Sequence, residues 1–494
     1  MGHDKISPIT RIATCLIFAI SLVFLVAAAA TGYPFGLVYD DSALFTALFR
    51  IAIGLLMLLR VLRSFLALPL IFGYDQNIKS NLLFPKGIYY FKALMCLLVI
   101  IGFYTDIAAA LLFLAYVLVF WKSRYFSIEE VYFQNSLFHL IFLGAGRVYS
   151  LDSLMGNESL LGSAVFFNSF FLSNGFIMLS AGYEKFKSKL WRSGKGTSYF
   201  FNSPHLLKER FHSLNKLPHA VMFLLSYMVV IGEFIFPFAA LHPIVLFLTL
   251  FVLLGFSTSL FTVIDISFIG QILSLNLLFF IALNLSFWDR LDPSILMSVS
   301  KEQILEPIVM LCILMNGLTL IITLYYPIAT KLNLDKIQHL LTGIIGPIGV
   351  FTEKHQYGFY IYRIVEKESQ KVVFDAFDEH GYPGKYQMLY PRYFQAAMYP
   401  VTDYCLAINK YGMDTEHRKQ HVIDLLYGAW CSLETTTATS LSLLVKKFEE
   451  SDDIASFTAQ EWAAIGQCDF SNEGKPNWHL SNKPPLIEKT SRKV

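Results

Sequence analysis

Apolar runs of about 20 residues recur along this chain, the length needed to cross a hydrocarbon core of roughly 30 Å. They fall near residues 11–31, 43–62, 88–104, 107–121, 134–146, 160–182, 218–240, 243–264, 268–287 and 304–326. Inside lipid every backbone donor and acceptor needs an internal partner, so runs of this length read as helices. Hydrophobic residues make up 55% of the chain and charged residues 15%, a balance that a water-facing surface cannot accommodate. The expected fold is an all-α polytopic membrane bundle of about eight to ten spans, carrying a small C-terminal α+β soluble domain. The fifth run is short and reads as half-buried or irregularly continued. Around Thr105-Asp106 two runs meet in a tight helical hairpin.

The first run follows Lys5 and Arg11 and ends in a small-residue string, as a secretory signal does. It is too long for a typical signal core and reads as a retained first span. Lysine and arginine placement sets the orientation. With ten crossings, one side holds Lys5, Arg11, Arg63, Lys79, Lys86, Lys122, Arg124, the basic loop over 185–216, and Lys331. The other side holds Asp40, Asp41, Asp106 and Asp152. Both termini are therefore expected in the cytoplasm, in what reads as a bacterial inner membrane.

After Pro327 the composition shifts. The bundle is expected over 1–332 and the soluble domain over 333–494. "YGFYIYRIVEKESQKVVFDAFDEHGYPGKY" alternates like two strands about a polar turn. "HRKQHVIDLLYGAW" and "LSLLVKKFEESDD" read as helices. The last stretch, "SNEGKPNWHLSNKPPLIEKTSRKV", is turn-rich and reads as frayed.

Several functions are excluded. A net charge of +2 leaves no nucleic-acid footprint. The six cysteines are scattered, with no CxxC and no zinc spacing. Neither HExxH, GxSxG nor a dinucleotide fingerprint occurs, and "RSGKGTS" lacks the phosphate-loop spacing. "DEHGYPG" reads as a turn, so no metal ligand set is assigned.

Ionisable residues inside the spans are more informative, because their cost in hydrocarbon turns them toward a bundle interior or cavity. These are Arg50, His139, Glu233 and Asp265, with Gln134, Asn135, Gln271 and Asn276 as polar companions. They form either a packing network or a pocket where chemistry occurs. Arg60 and Arg63 end a helix and are expected to snorkel. Lys185 ends the run before "MLSAGYEKFKSKLWRSGKGTSYF". It is either an anchor reaching the membrane surface or a reagent, since desolvation at a lipid–water boundary favours the neutral amine that can take a proton.

Four stretches share their order and spacing with a known family: "LFRIAIGLLMLL" (48–59), "FQNSLFHLIFLGAGRVYSLDSL" (133–154), "SAGYEKFKSKLWRSGKGTSY" (180–199) and "VVIGEFIFPFAAL" (229–241). Over roughly residues 40–290 the chain resembles the horizontally transferred transmembrane domain family, whose animal relative is the vitamin K-dependent γ-carboxylase. The resemblance implies an enzyme in which Lys185 is the catalytic base, acting on a lipid-soluble quinone or a peptide. Arg50, Gln134, Asn135, His139 and Glu233 would shape the substrate pocket. The cofactor implied is a reduced quinone, which with oxygen would generate an epoxide and a strong base. That base would take a proton from a glutamate γ-carbon, to which carbon dioxide adds. Where the family commonly shows Asn-His at the start of its polar helix, this chain has Gln134-Asn135. The alternative is a non-enzymatic membrane protein, a transporter or a scaffold presenting its C-terminal domain. Membrane lipid is the expected surrounding partner in either case.

Overall fold

A computed structural model describes residues 43–66, 83–122, 128–156, 164–203, 206–239, 243–264, 267–288 and 359–375, with further segments between 401 and 480. The expected spans at 11–31 and 304–326, and Asp265, lie outside the described residues. Eight long helices account for the first part: α1 (Ala43–Leu66), α2 (Leu83–Ile101), α3 (Thr105–Lys122), α4 (Ile128–Leu140), α5 (Ala164–Lys187), α6 (His219–Ala239), α7 (Pro243–Thr262) and α8 (Ser267–Trp288). Among the described residues, three stretches are long and apolar enough to cross a membrane: Leu44–Phe65, His219–Ala239 and Ile244–Thr262. At 1.5 Å per residue each covers about 30 Å.

These helices carry an inverted pattern. On α1, Leu44, Leu48, Leu55, Leu59 and Leu62 are exposed, while Thr46, Arg50, Arg60 and Ser64 are buried. Leucines at helical spacing on the outside and polar groups inside suit a hydrocarbon surrounding. On α7 the outward side chains are Ile244, Val245, Phe247, Leu248 and Phe251.

Neighbours in sequence pack in pairs, α1 with α2, α2 with α3, α5 with α6, and α7 with α8. Helix α8 closes back on α1 and α4, and α4 also packs on α3 and α5. The short fifth run is this central helix. It begins earlier than the expected 134–146 and ends at Leu140, after which the chain continues in turns. Every described side chain of α4 is buried or half-buried, which explains why its sequence shows no amphipathic stripe. Helices α5 and α6 approach closely where glycines face them. A Cβ on Gly175 would lie 3.0 Å from the Pro237 Cβ, and one on Gly182 would lie 3.0 Å from the Glu233 Cβ.

The hairpin at 102–104 turns through Gly102 at φ +70°. Across it, Asp152 accepts hydrogen bonds from the Tyr104 and Thr105 amides at 2.7 and 2.8 Å and from the Thr105 hydroxyl at 2.8 Å. It thereby caps the start of α3 from a distant loop.

In the second part, β1 (Phe359–Glu366), β2 (Val372–Asp375), β3 (Ser440–Glu450), β4 (Phe457–Ala459), β5 (Ala463–Phe470) and β6 (Pro476–Leu480) form an antiparallel sheet in the order β2-β1-β3-β5-β6, with β4 on β3. The expected strand pair about 367–371 is present as β1 and β2. Described residues 419, 422, 423 and 426 are helical, as expected for "HRKQHVIDLLYGAW". Two expectations fail. "LSLLVKKFEE" is the central strand β3 rather than a helix: Leu441, Leu443 and Val445 alternate into a core with Tyr360, Tyr362, Tyr404 and Leu426, and both of its edges are paired. The stretch read as frayed contains β6, held on β5 from Gly466–Leu480 to Phe470–Pro476, with Trp478 and Leu480 buried.

Candidate functional site

Lys185 lies in the last turn of α5 and points inward. Its Nζ donates to both carboxylate oxygens of Glu233 on α6, at 2.5 and 2.7 Å. The two side chains are 3% and 2% exposed, so Lys185 is not an anchor in headgroups. Glu233 reaches it because Gly182 removes the side chain that would separate α5 from α6. Aromatic walls enclose the pair: the Trp191 ring is 5.5 Å from Nζ and the Phe256 ring 5.8 Å. Trp191 is carried by the helical turn Lys189–Arg192, and Gly196 sits directly against its indole. The Ser188 hydroxyl and the Trp191 Nε1 are buried without a hydrogen-bond partner. The Glu233 carboxylate also acts electrostatically on Tyr132 of α4.

The next lysine behaves differently. Lys187 is half-exposed, pairs with Glu184 at 2.7 Å and lies over the Tyr183 ring. That arrangement fits a side chain reaching the surface.

A polar ladder runs down the inner face of α5 away from Lys185. The Ser173 hydroxyl donates to Asn135 Oδ1 at 2.6 Å. Asn276 of α8 donates to Asn174 Oδ1 at 3.1 Å and accepts from Ser136 at 3.1 Å. His139 places Nδ1 2.8 Å from the Asn135 carbonyl and its ring 5.0 Å from Phe170. Between Phe170 and Lys185 are 15 residues of one helix, roughly 22 Å at 1.5 Å each. His139 therefore belongs to the far end of the ladder. Gln271 is half-buried on α8.

Arg50 is also at that far end. Its guanidinium donates to the carbonyls of Ala145, at 2.8 Å, and Tyr149, holding the turns after α4. Gln134 and Asn135 separate as well. Tyr132, Asn135 and His139 share the α4 face that looks on α5, whereas Gln134 shares a face with Glu130, about 200° round from Tyr132. Of the expected site residues, Lys185 and Glu233 meet directly; Asn135 and His139 line the same interior; Gln134 and Arg50 stand elsewhere.

Arg60, expected to snorkel, is 2% exposed and forms ion pairs with Glu129 at 3.3 Å and Glu130 at 3.2 Å. A charge this close to the helix end is turned inward because α4 presents two acids there. Arg63 is exposed, with its guanidinium 5.3 Å from the Phe268 ring centroid. Sequence reasoning also passed over Lys92, although a lysine in the middle of an apolar run is the same signal that singled out Arg50. No group of three or more metal-ligating side chains comes together among the described residues.

No protein-family model matches the chain, and neither the curated proteins nor the solved structures include a significant match.

Proposed function

We propose that this chain is a polytopic integral membrane protein of the horizontally transferred transmembrane domain type, related to the vitamin K-dependent γ-carboxylase, with Lys185 as the base of a reaction on a lipid-soluble quinone or a peptide. The bundle has about eight to ten spans in a bacterial inner membrane, with both termini cytoplasmic, and residues 333–494 form a soluble α+β domain. The observation that carries the enzymatic part is the inward, ion-paired Lys185 beside buried polar groups with unmet hydrogen bonds.

A reduced quinone fits that setting, since Ser188 Oγ and Trp191 Nε1 are buried and unpaired and could receive its oxygens. Bound there, it would supply the oxidative chemistry with oxygen. The chain's own part is proton handling. The ammonium of Lys185 touches both oxygens of Glu233, so one proton can pass from Nζ to the carboxylate. The pair then becomes an amine and a carboxylic acid with no change in net charge, and the amine is free to accept a proton from a substrate.

A second reading has its own support. Because the ammonium engages both carboxylate oxygens, the pair also serves as a lock between α5 and α6 in a transporter or a scaffold. Lys185→Arg separates the readings. Arginine keeps the charge and can pair bidentately with Glu233, but it does not become neutral near pH 7. Quinone epoxidation is measured in membranes with and without carbon dioxide. The enzyme reading expects epoxide from the parent and a loss of orders of magnitude in the variant at equal folded protein. Equal epoxide from both, or none from the parent, leaves the lock.

A further inference from the structure

The Lys185–Glu233 pair is shut off from its surroundings, and the segment that follows α5 covers it. Both side chains of the pair are buried. Trp191, whose ring stands 5.5 Å from the ammonium, is buried too. Arg192 and Ser193, the next two residues, are exposed. One turn of chain thus has the pair on its inner side and the outside on its other. The helices around the pair are not free to part. Helices α5 and α6 meet closely at Gly175 and Gly182, and a Cβ on Gly232 of α6 would lie 3.3 Å from Leu253 of α7. Surfaces packed this closely do not separate without opening a void. The covering segment is built otherwise. Continuous helix ends at Lys187. There follow the four-residue turn Lys189–Arg192, Gly194 at φ +73°, and the seven-residue helix Gly196–Asn202. A left-handed glycine between two short helical pieces is a place where a chain can hinge.

Two adjacent residues of α6 clasp this segment. Tyr227 donates to the Arg192 carbonyl at 2.6 Å. Ser226 accepts from the Thr197 amide at 2.9 Å, and its hydroxyl lies 3.1 Å from the Gly194 carbonyl and 3.0 Å from the Thr197 hydroxyl. That hydroxyl has a single proton to give, and the Met222 carbonyl of its own helix competes for it at 2.9 Å. The clasp is therefore a shared one. The inner side of the segment is meanwhile unsatisfied, since Ser188 Oγ and Trp191 Nε1 are buried without partners. A closed position that leaves two polar groups unmet is poorer than one in which they reach water or a ligand.

We propose that residues 188–197 form a gate over the Lys185–Glu233 pair, latched to α6 by Ser226 and Tyr227, and that its release admits a ligand to the pair. The gate rests on the reading of Lys185 as a base for its purpose, though not for its motion.

The test uses the full chain in phosphatidylcholine nanodiscs, with Ser188→Cys as the reporter, because a thiol buried under the gate reacts only while the gate is open. Labelling by N-ethylmaleimide is followed peptide by peptide. Cys96, fully buried on α2, reports any loosening of the whole bundle. Added to the reporter variant, Ser226→Ala should raise the labelling rate at position 188 about tenfold, the scale of one or two lost hydrogen bonds, while Cys96 keeps its rate. Thr197→Cys with Ser226→Cys supplies an independent arm, since it puts two thiols where hydroxyls stand 3.0 Å apart. Their disulfide should suppress labelling at position 188, and reduction before labelling should restore it. Slow labelling that neither change moves would make the segment a fixed plug. Fast labelling in the disulfide-locked form would mean that it does not cover the pair. Position 188 and Cys96 rising together, with no effect of the disulfide, would mean general loosening. Each of these overturns the gate. None of them depends on epoxide: a gate that opens in a protein making no epoxide would stand, and the base would fall.

Discussion

Removing one partner of the Lys185–Glu233 pair should cost far more than removing both. The side chains are 3% and 2% exposed, so neither ion is solvated once its partner is gone. Breaking a buried pair from one side costs about 3–5 kcal/mol, whereas replacing both ions by uncharged groups of similar volume is often neutral or stabilising. Lys185→Met keeps the length of the side chain, and Glu233→Gln keeps its shape. Each alone should lower unfolding free energy by about 3 kcal/mol or more. The double variant should fall within about 2 kcal/mol of the parent, giving a coupling of at least about 3 kcal/mol. The measurement is reversible unfolding in mixed dodecyl sulfate and maltoside micelles, with all four proteins at one lipid-to-protein ratio. Two single losses under about 1 kcal/mol that add within about 0.5 kcal/mol would mean that the pair is solvated. The inward lysine would then be no basis for either functional reading.

The close approach of α5 and α6 gives a second expectation: Gly175→Ala places a methyl 3.0 Å from the Pro237 Cβ and 3.1 Å from its Cα. In the same micelle assay it should lose about 1–3 kcal/mol by overpacking, and a gain, as helix propensity alone would give, would refute the contact. In the sheet domain, burial pushes the Cys405 thiol and the Tyr362 phenol up. The folded form thus keeps protons that the unfolded chain releases, and stability should decline as pH rises past about 8.5 for Cys405 and past about 10 for Tyr362, by up to about 1.4 kcal/mol per unit for each group. Cys405→Ala with Tyr362→Phe should flatten that alkaline limb, and an unchanged slope would count against the burial. For orientation, Ser193→Cys, an exposed position, should resist an impermeant maleimide in intact cells and label after permeabilisation; efficient labelling in intact cells would reverse the topology.

Helix positions were legible where a run is apolar throughout, because length and composition suffice there. The expected 218–240 and 268–287 became His219–Ala239 and Ser267–Trp288. The β3 strand was not legible in the same way. Leu441, Leu444, Val445 and Phe448 fit a helical stripe, and Leu441, Leu443 and Val445 fit a strand equally well. The decision came from β1 and β5, which pair with both of its edges, and neither is adjacent in sequence. The site divides along similar lines. That Glu233 faces inward follows from the cost of charge in lipid, but Lys185 at a span end was open between an anchor and an inward group, and that the two meet depends on how α5 and α6 are rotated. Gln134 and Asn135 are neighbours in sequence and seemed one motif, yet successive helical residues point about 100° apart. Arg60 was misjudged from its place near a helix end, since the acids that capture it lie 70 residues away on α4.

Lys185 and Lys92 are both buried but differ in what meets the charge, and that difference bears on function. At Lys185 the ammonium and the carboxylate meet, so the resting site is closed on itself. Any chemistry or transport there requires the pair to open or to share its proton, and a ligand must compete with an internal carboxylate at 2.5 Å. At Lys92 the ammonium faces the Tyr116 and Tyr89 rings, while Arg60 pairs with Glu129 and Glu130. The Lys185 pair therefore has the form of a closed contact that a ligand or a proton must open, while among the described residues Lys92 is held by ring faces alone.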